Sequence, residues 1–346
     1  MRALFIGGTG TISSAVTALV AQKPEWELYL INRGNRPELV PDGVKVLKVD
    51  INDEAAVLAM LGDMQFDVVA DFIGFVPSQV QRDIRLFKGR TKQYMYISSA
   101  SVYQKPLSNY MVTEGTTLYN PYWEYSRDKI ACEELLLQEY RTNGFPITIV
   151  RPSHTYGDGS IAIGVHGNKG PWQVLDRMRK GKPVIVHGDG SSLWTVTHNS
   201  DFAKGFVGLM GNVRALGEAV HIVSDELLTW DQIYRIAADA LGVQAKLVHI
   251  STDFLIACRP ELEGNMLGDK SRTVAYDNSK IKSLVPDFCA TMRYDQGARR
   301  SIAYMLQHPE TQVPDPEFDA WCDDVLAANA AGIQHFLMNH QAAQKM

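Results

Sequence analysis

The chain has 346 residues, 45% of them hydrophobic and 21% charged, with a net charge of −5 and a pI near 6.0. That balance is the one a soluble globular protein shows, and it disfavours a dedicated nucleic-acid binder, which carries a basic face. Four scattered cysteines, Cys132, Cys258, Cys289 and Cys322, form no CxxC pattern or His/Cys cluster, so the reading is free thiols in a reducing cytoplasm and no metal.

In chain order, the apolar start at 2–6 is a strand that runs directly into Gly7-Gly8. It is too short for a signal-peptide core, and no later run is long enough for a bilayer, so no membrane partner is expected. Further β-branched runs predict strands at 27–32, 44–50, 68–72, 93–98 and 147–151. Helical patterns at 13–21, 54–61, 78–87 and 125–143 separate them. The alternation predicts an α/β fold, a Rossmann-type doubly wound parallel sheet. Beyond Arg151 the rhythm loosens into a glycine-rich loop at 157–170, a strand at 183–186, the turn Gly188-Asp189-Gly190, a helix at 200–210 and a strand at 220–223. A helix at 229–241 opens on a Thr229 N-cap, and an Ala-rich helix follows from Asp315, with 341–346 fraying. The expected division is a nucleotide domain of 1–155 plus about 195–225, a smaller substrate lobe of 156–194 plus about 226–330, and a C-terminal helix or tail of 331–346.

The first strand leads into Gly7-Gly8-Thr9-Gly10-Thr11-Ile12-Ser13 and then an apolar helix, the setting a dinucleotide turn requires. Glycines let the backbone approach a pyrophosphate, and the helix N-terminus offers N–H groups to it. The second strand ends at Asn32-Arg33, with Arg36 close by, where an acidic residue would select NAD. A neutral residue and two cations tilt an NAD(P) site toward NADP. Asp50 and Ile51, closing the third strand, are candidates to contact adenine, whereas Asp53 reads as a helix N-cap.

Tyr125 and Lys129 stand four residues apart on a predicted helix and so share a face. Free tyrosine titrates near 10, so service as a base near pH 7 asks for about 4 kcal/mol of phenolate stabilisation. A cation about 4 Å away at an effective dielectric of about 20 supplies roughly that.

With the glycine turn, the stretch Ser98-Ser99-Ala100-Ser101 and the Tyr125/Lys129 pair in this order, the chain resembles the extended short-chain dehydrogenase/reductase family, the NAD(P)-dependent epimerase/dehydratase group. The resemblance extends through Arg151-Pro152-Ser153-His154-Thr155-Tyr156-Gly157, similar to an RPxNxYG segment, and through Gly188-Asp189-Gly190 and His198-Asn199-Ser200-Asp201, over roughly residues 1–290. It implies that Tyr125 is the acid/base, that Lys129 lowers its pKa and bonds the nicotinamide ribose, and that Ser99 holds the same substrate oxygen. It implies coenzyme contacts at Gly74 and Pro152, substrate contacts at Ala100, Ser101 and His154, a sugar-like substrate and a homodimer packed through the helices at 78–87 and 125–143.

Three departures qualify the resemblance. Ala100 and Ser101 replace the carboxylates a sugar dehydratase uses. Trp194 stands where nucleotide-sugar epimerases carry a diphosphate-binding arginine; it either stacks on a sugar or base, or belongs to the core. The fourth strand leads into Ile73-Gly74-Phe75, so that Phe75 either covers the nicotinamide or is core. His154 either bonds substrate or is structural, His198 reads as structural, and Tyr122 and Trp123 are candidates for the pocket wall. The leading reading is an epimerase or oxidoreductase acting on a secondary alcohol or ketone of a sugar or nucleotide sugar. The alternative is an atypical relative that binds RNA or senses coenzyme without catalysis.

Overall fold

The computed structural model describes residues 1–343, and they form two compact units. The first comprises Met1–Gly157, Thr195–Leu227 and Val274–Arg293. Its centre is a seven-stranded parallel sheet: β1 Arg2–Ile6, β2 Glu27–Asn32, β3 Lys45–Lys48, β4 Val68–Asp71, β5 Tyr94–Ile97, β6 Ile147–Pro152 and β7 Ala219–Ile222, in the order β3-β2-β1-β4-β5-β6-β7. Every residue of β4, β5 and β6 is buried, which is why these runs are mostly apolar, with Asp71, Thr148 and Arg151 the polar exceptions. Helix α1, Ser13–Ala21, and the helix Asn199–Leu209 cover one face. Helices α2 Glu54–Leu61, α3 Pro77–Phe87 and α4 Glu124–Asn143 cover the other. Strand order reverses at β1, between β2 and β4, so the chain leaves a crevice at the carboxyl ends of these strands.

Local chemistry sets the helix ends. The Asp53 carboxylate accepts the Ala56 N–H at 3.0 Å and caps α2. Gly144, in the left-handed region at φ 66°, stops α4. The strand expected at 44–50 is shorter, because its pairing with β2 ends at Asn32 opposite Lys48. Asp50 and Ile51 consequently lie in the following loop.

The second unit comprises Asp158–Trp194, Leu228–Thr273 and 294–343. Pro183–His187 pairs in parallel with Lys246–Ile250, and Leu193–Trp194 pairs antiparallel with Leu228–Thr229. Thr229 caps the helix Trp230–Ala240 through a reciprocal capping box with Gln232. The Arg177 guanidinium is buried and bonds Asp319 and Asp323 of the helix Pro316–Ala343, each at 2.7 Å. Lys270 is also buried, donating to the Gly164 carbonyl at 3.1 Å, and burial brings its ammonium down to about 8.

The division differs from the sequence-based one in two places. Residues 274–293 belong with the first unit, because Ala275–Tyr276 pairs with Met111–Val112 and the Met292 N–H donates to Asp201 at 2.7 Å. Residues 331–343 continue the helix that begins at Pro316 and are not a separate tail. The fraying expected at 341–346 falls at and beyond the limit of the described residues. Among the described residues, no helix is long and apolar enough to cross a membrane.

Candidate active site

The crevice of the first unit is a cleft of about 780 Å³. One end is the turn between β1 and α1. Gly7 sits at φ +83°, and a Cβ there would lie 2.5 Å from the Ile73 side chain, so only glycine fits. Ser13, where a third glycine is common, ties the turn together: its hydroxyl donates to the Gly7 carbonyl at 2.6 Å and accepts the Gly10 N–H at 2.8 Å. Gly7, Thr9, Gly10, Thr11 and Ile12 line the cleft at the start of α1.

Asn32, Arg33 and Arg36 line the cleft beyond β2, joined by Asn35. The Asn32 carboxamide accepts the Gly34 N–H at 2.9 Å, and Gly34 takes φ +77°, which fixes the loop that carries both arginines. Asp50, Ile51 and Asn52 form the wall across from them. Asn52 is held from behind by Arg82 at 2.7 Å, and Arg82 is itself paired with the buried Asp83.

Tyr125 and Lys129 line the other end from α4, with Ser98 and Ser99 from the end of β5. The ammonium of Lys129 lies 5.8 Å from the Tyr125 ring centre and 4.8 Å from that of Phe75, and donates to the Gly74 and Ile97 carbonyls at 2.6 and 2.7 Å. Burial lowers its pKa to about 8, and the charge of Asp71 on β4 works against that fall. Phe75 lines the cleft half-exposed, 6.4 Å from the Tyr125 ring, and Trp123 packs on that ring at 4.9 Å. The Ser98 hydroxyl is buried and has no hydrogen-bond partner, although Ser98 lines the cleft. An orphaned hydroxyl, a turn that admits only glycine and two arginines beyond β2 fit a polar, anionic dinucleotide.

Some expected contacts take other roles. Gly8 is buried; a Cβ on it would meet Leu30 at 2.5 Å, and its carbonyl accepts from Thr17, so it serves the packing of α1 on β2. Gly74 does not line the cleft; its carbonyl holds Lys129 and Tyr96. Pro152 lines the cleft, as do Ser153 and Thr155. His154, between Ser153 and Thr155, does not line it. Ala100 and Ser101 are buried behind Ser99. In the second unit Trp194 is 1% exposed and stacked on Trp230 at 5.5 Å, a core position rather than a surface for a sugar. His198 caps the helix Asn199–Leu209, its Nδ1 accepting the Ser200 N–H at 3.2 Å. Asn35, Asn52 and Ser98 escaped sequence reading because only tertiary packing brings these loop and strand-end residues to the cleft.

The sheet order and its glycine turn define a Rossmann-type α/β unit. The chain belongs to the NAD dependent epimerase/dehydratase family, whose model matches residues 3–223. It is 26% identical over 290 residues to 2'-dehydrokanamycin reductase of Streptomyces kanamyceticus, covering 83% of this chain and 80% of that protein. It is 25% identical over 262 residues to the chloroplast stem-loop binding protein of 41 kDa b of Arabidopsis thaliana, covering 72% of this chain and 65% of that one. Among solved structures it resembles UDP-glucuronic acid 4-epimerase from Bacillus cereus in complex with NAD, with a TM-score of 0.70, 19% identity, and 89% of this chain and 99% of that one covered.

Proposed function

We propose that this chain is an NAD(P)-dependent epimerase or oxidoreductase acting on a secondary alcohol or ketone of a sugar or nucleotide sugar. The observation that carries the reading is that Tyr125, Lys129 and Ser99 line one cleft with the Gly7–Gly10 turn. The N–H groups at the start of α1 would hold the coenzyme diphosphate, and Arg33 and Arg36 would pair with the 2′-phosphate that NADP carries and NAD lacks. When bound, the nicotinamide supplies hydride acceptance and donation. Tyr125 takes the proton from the substrate hydroxyl, or returns it to the carbonyl, at its phenol oxygen. Lys129 keeps a positive charge beside that ring, which favours the phenolate. Ser99 donates a hydrogen bond to the same substrate oxygen as its charge develops. Elimination of water is not part of this reading, since Ala100 and Ser101 offer no carboxylate. The intact Tyr125/Lys129/Ser99 cluster favours catalysis over RNA binding or coenzyme sensing.

The test is conversion of UDP-glucose, UDP-glucuronic acid, dTDP-glucose and the free sugars with each coenzyme, followed by coenzyme absorbance and product analysis. Coenzyme that survives gel filtration marks an epimerase, and net NAD(P)H formation marks a dehydrogenase. Failure to bind either coenzyme overturns the reading. NADP is expected to bind more tightly than NAD, because two cations and a neutral Asn32 line the cleft beyond β2. Replacing Arg33 and Arg36 with serine should weaken NADP by about 10-fold or more and leave NAD nearly unchanged. Titration calorimetry measures both, and a tenfold preference of the wild type for NAD contradicts the assignment.

A further inference from the structure

Behind Ser99 lies a chain of three hydroxyls that ends in the interior. Ser126, the residue after Tyr125 on α4, is fully buried, and its hydroxyl donates to the Ser101 Oγ at 2.8 Å. Ser101, 3% exposed, stands 2.9 Å from the Ser99 Oγ, and its N–H donates to that same oxygen at 3.2 Å. The Ser101 carbonyl is pinned by the Asn120 carboxamide at 2.8 Å, and the Asn120 oxygen accepts the N–H groups of Tyr122 and Trp123 at the start of α4. Ser101 is therefore held from two sides, in the turn after β5 and against the helix that carries Tyr125.

One direction along this chain gives every hydroxyl proton a place, although the Ser99–Ser101 contact itself admits either donor. A hydroxyl has one proton to give and two lone pairs. Ser126 spends its proton on Ser101. Ser101 then has its own proton to place, with the Ser99 oxygen in reach. In that direction Ser99 accepts both the hydroxyl and the N–H of Ser101, which fills its lone pairs and leaves its own proton for the cleft. Resting on the reading above, we infer that Ser126 and Ser101 are positioning residues that make Ser99 a donor toward the substrate oxygen. Each link polarises the next, so the Ser99 proton is a better donor than that of an isolated serine. Without Ser126, the Ser101 hydroxyl loses the donor that polarises it, and the Ser99 proton becomes a weaker donor toward an oxyanion.

Neutron diffraction from deuterium-exchanged crystals of the coenzyme-loaded protein reads the direction without any substrate. The expected result is deuterium of Ser126 on Ser101, of Ser101 on Ser99, and of Ser99 in the cleft. Deuterium of Ser99 aimed at Ser101 overturns the inference. Kinetics provide the second arm, with whichever nucleotide sugar the wild type converts. Ser126→Ala should lower kcat about tenfold, with KM and coenzyme affinity within about twofold. Ser126→Thr, which restores the hydroxyl, should recover most of that loss. In a Ser99→Ala background, Ser126→Ala should have no further effect, because it acts through Ser99. An unchanged kcat for Ser126→Ala, or equal effects in both backgrounds, overturns the inference. Failure of the acid/base reading would show separately, as normal turnover by Tyr125→Phe.

Discussion

Replacing Tyr125 with phenylalanine is expected to lower turnover by about 10²- to 10⁴-fold, the range a positioned acid/base contributes. Coenzyme affinity should stay within about twofold. The substitution removes one oxygen and leaves the ring, so the packing of Phe75 and Trp123 against it persists. Lys129 keeps its bonds to the Gly74 and Ile97 carbonyls, which do not depend on the phenol. The glycine turn is at the other end of the cleft and is untouched. Steady-state turnover and titration of coenzyme against protein fluorescence measure the two quantities. A variant that loses coenzyme binding along with turnover would show that Tyr125 holds the site together rather than moving a proton.

Loss of the Glu133 carboxylate is the second large effect. Glu133 lies one helical turn after Lys129 on α4, is fully buried, and takes the Arg151 guanidinium in a two-pronged pair at 2.9 and 2.5 Å. Burial opposes the charge on Arg151, and the bonds and charge of Glu133 outweigh it, so the guanidinium is held above its ordinary pKa. Arg151 belongs to β6, so the pair ties α4, the helix that carries Tyr125, to the sheet. Glu133→Ala would leave a buried cation without its partner, at a cost of about 3–5 kcal/mol. For a domain of this size that is a fall of about 10 °C in Tm. Replacing both residues with apolar ones of similar volume should cost far less, since neither charge is then stranded. Thermal unfolding followed by circular dichroism measures the difference. A Glu133→Ala variant that melts like the wild type would mean that water reaches Arg151.

How much of this was visible in the sequence varies with the range of the interactions. The glycine turn, the α1 and α2 boundaries and the Tyr125/Lys129 face depend on residues a few positions apart, and local chemistry writes them directly. The Thr229 capping box and the Asp53 cap are of the same kind. The Ser126–Ser101–Ser99 chain was not legible, because residues 25 positions apart meet only once α4 packs beside the end of β5. Gly8 and Gly10 look alike in sequence, yet one faces Leu30 and the other the cleft. Trp194 shows the same limit, for an aromatic side chain reads identically whether it stacks on a ligand or on Trp230. The return of residues 274–293 to the first unit rests on a two-residue pairing with Met111–Val112, too short to leave a pattern.

The central claim is that Tyr125 exchanges a proton with the substrate as hydride moves. The most direct measurement is the pH dependence of single-turnover coenzyme reduction, in wild type and in Tyr125→Phe, with a nucleotide sugar that the wild type oxidises. A base must be deprotonated before it can accept a proton, so the wild-type rate should rise with pH through one ionisation below that of free tyrosine. Tyr125→Phe should react slowly and without that rise. The same ionisation in both proteins, at comparable rates, would contradict the account.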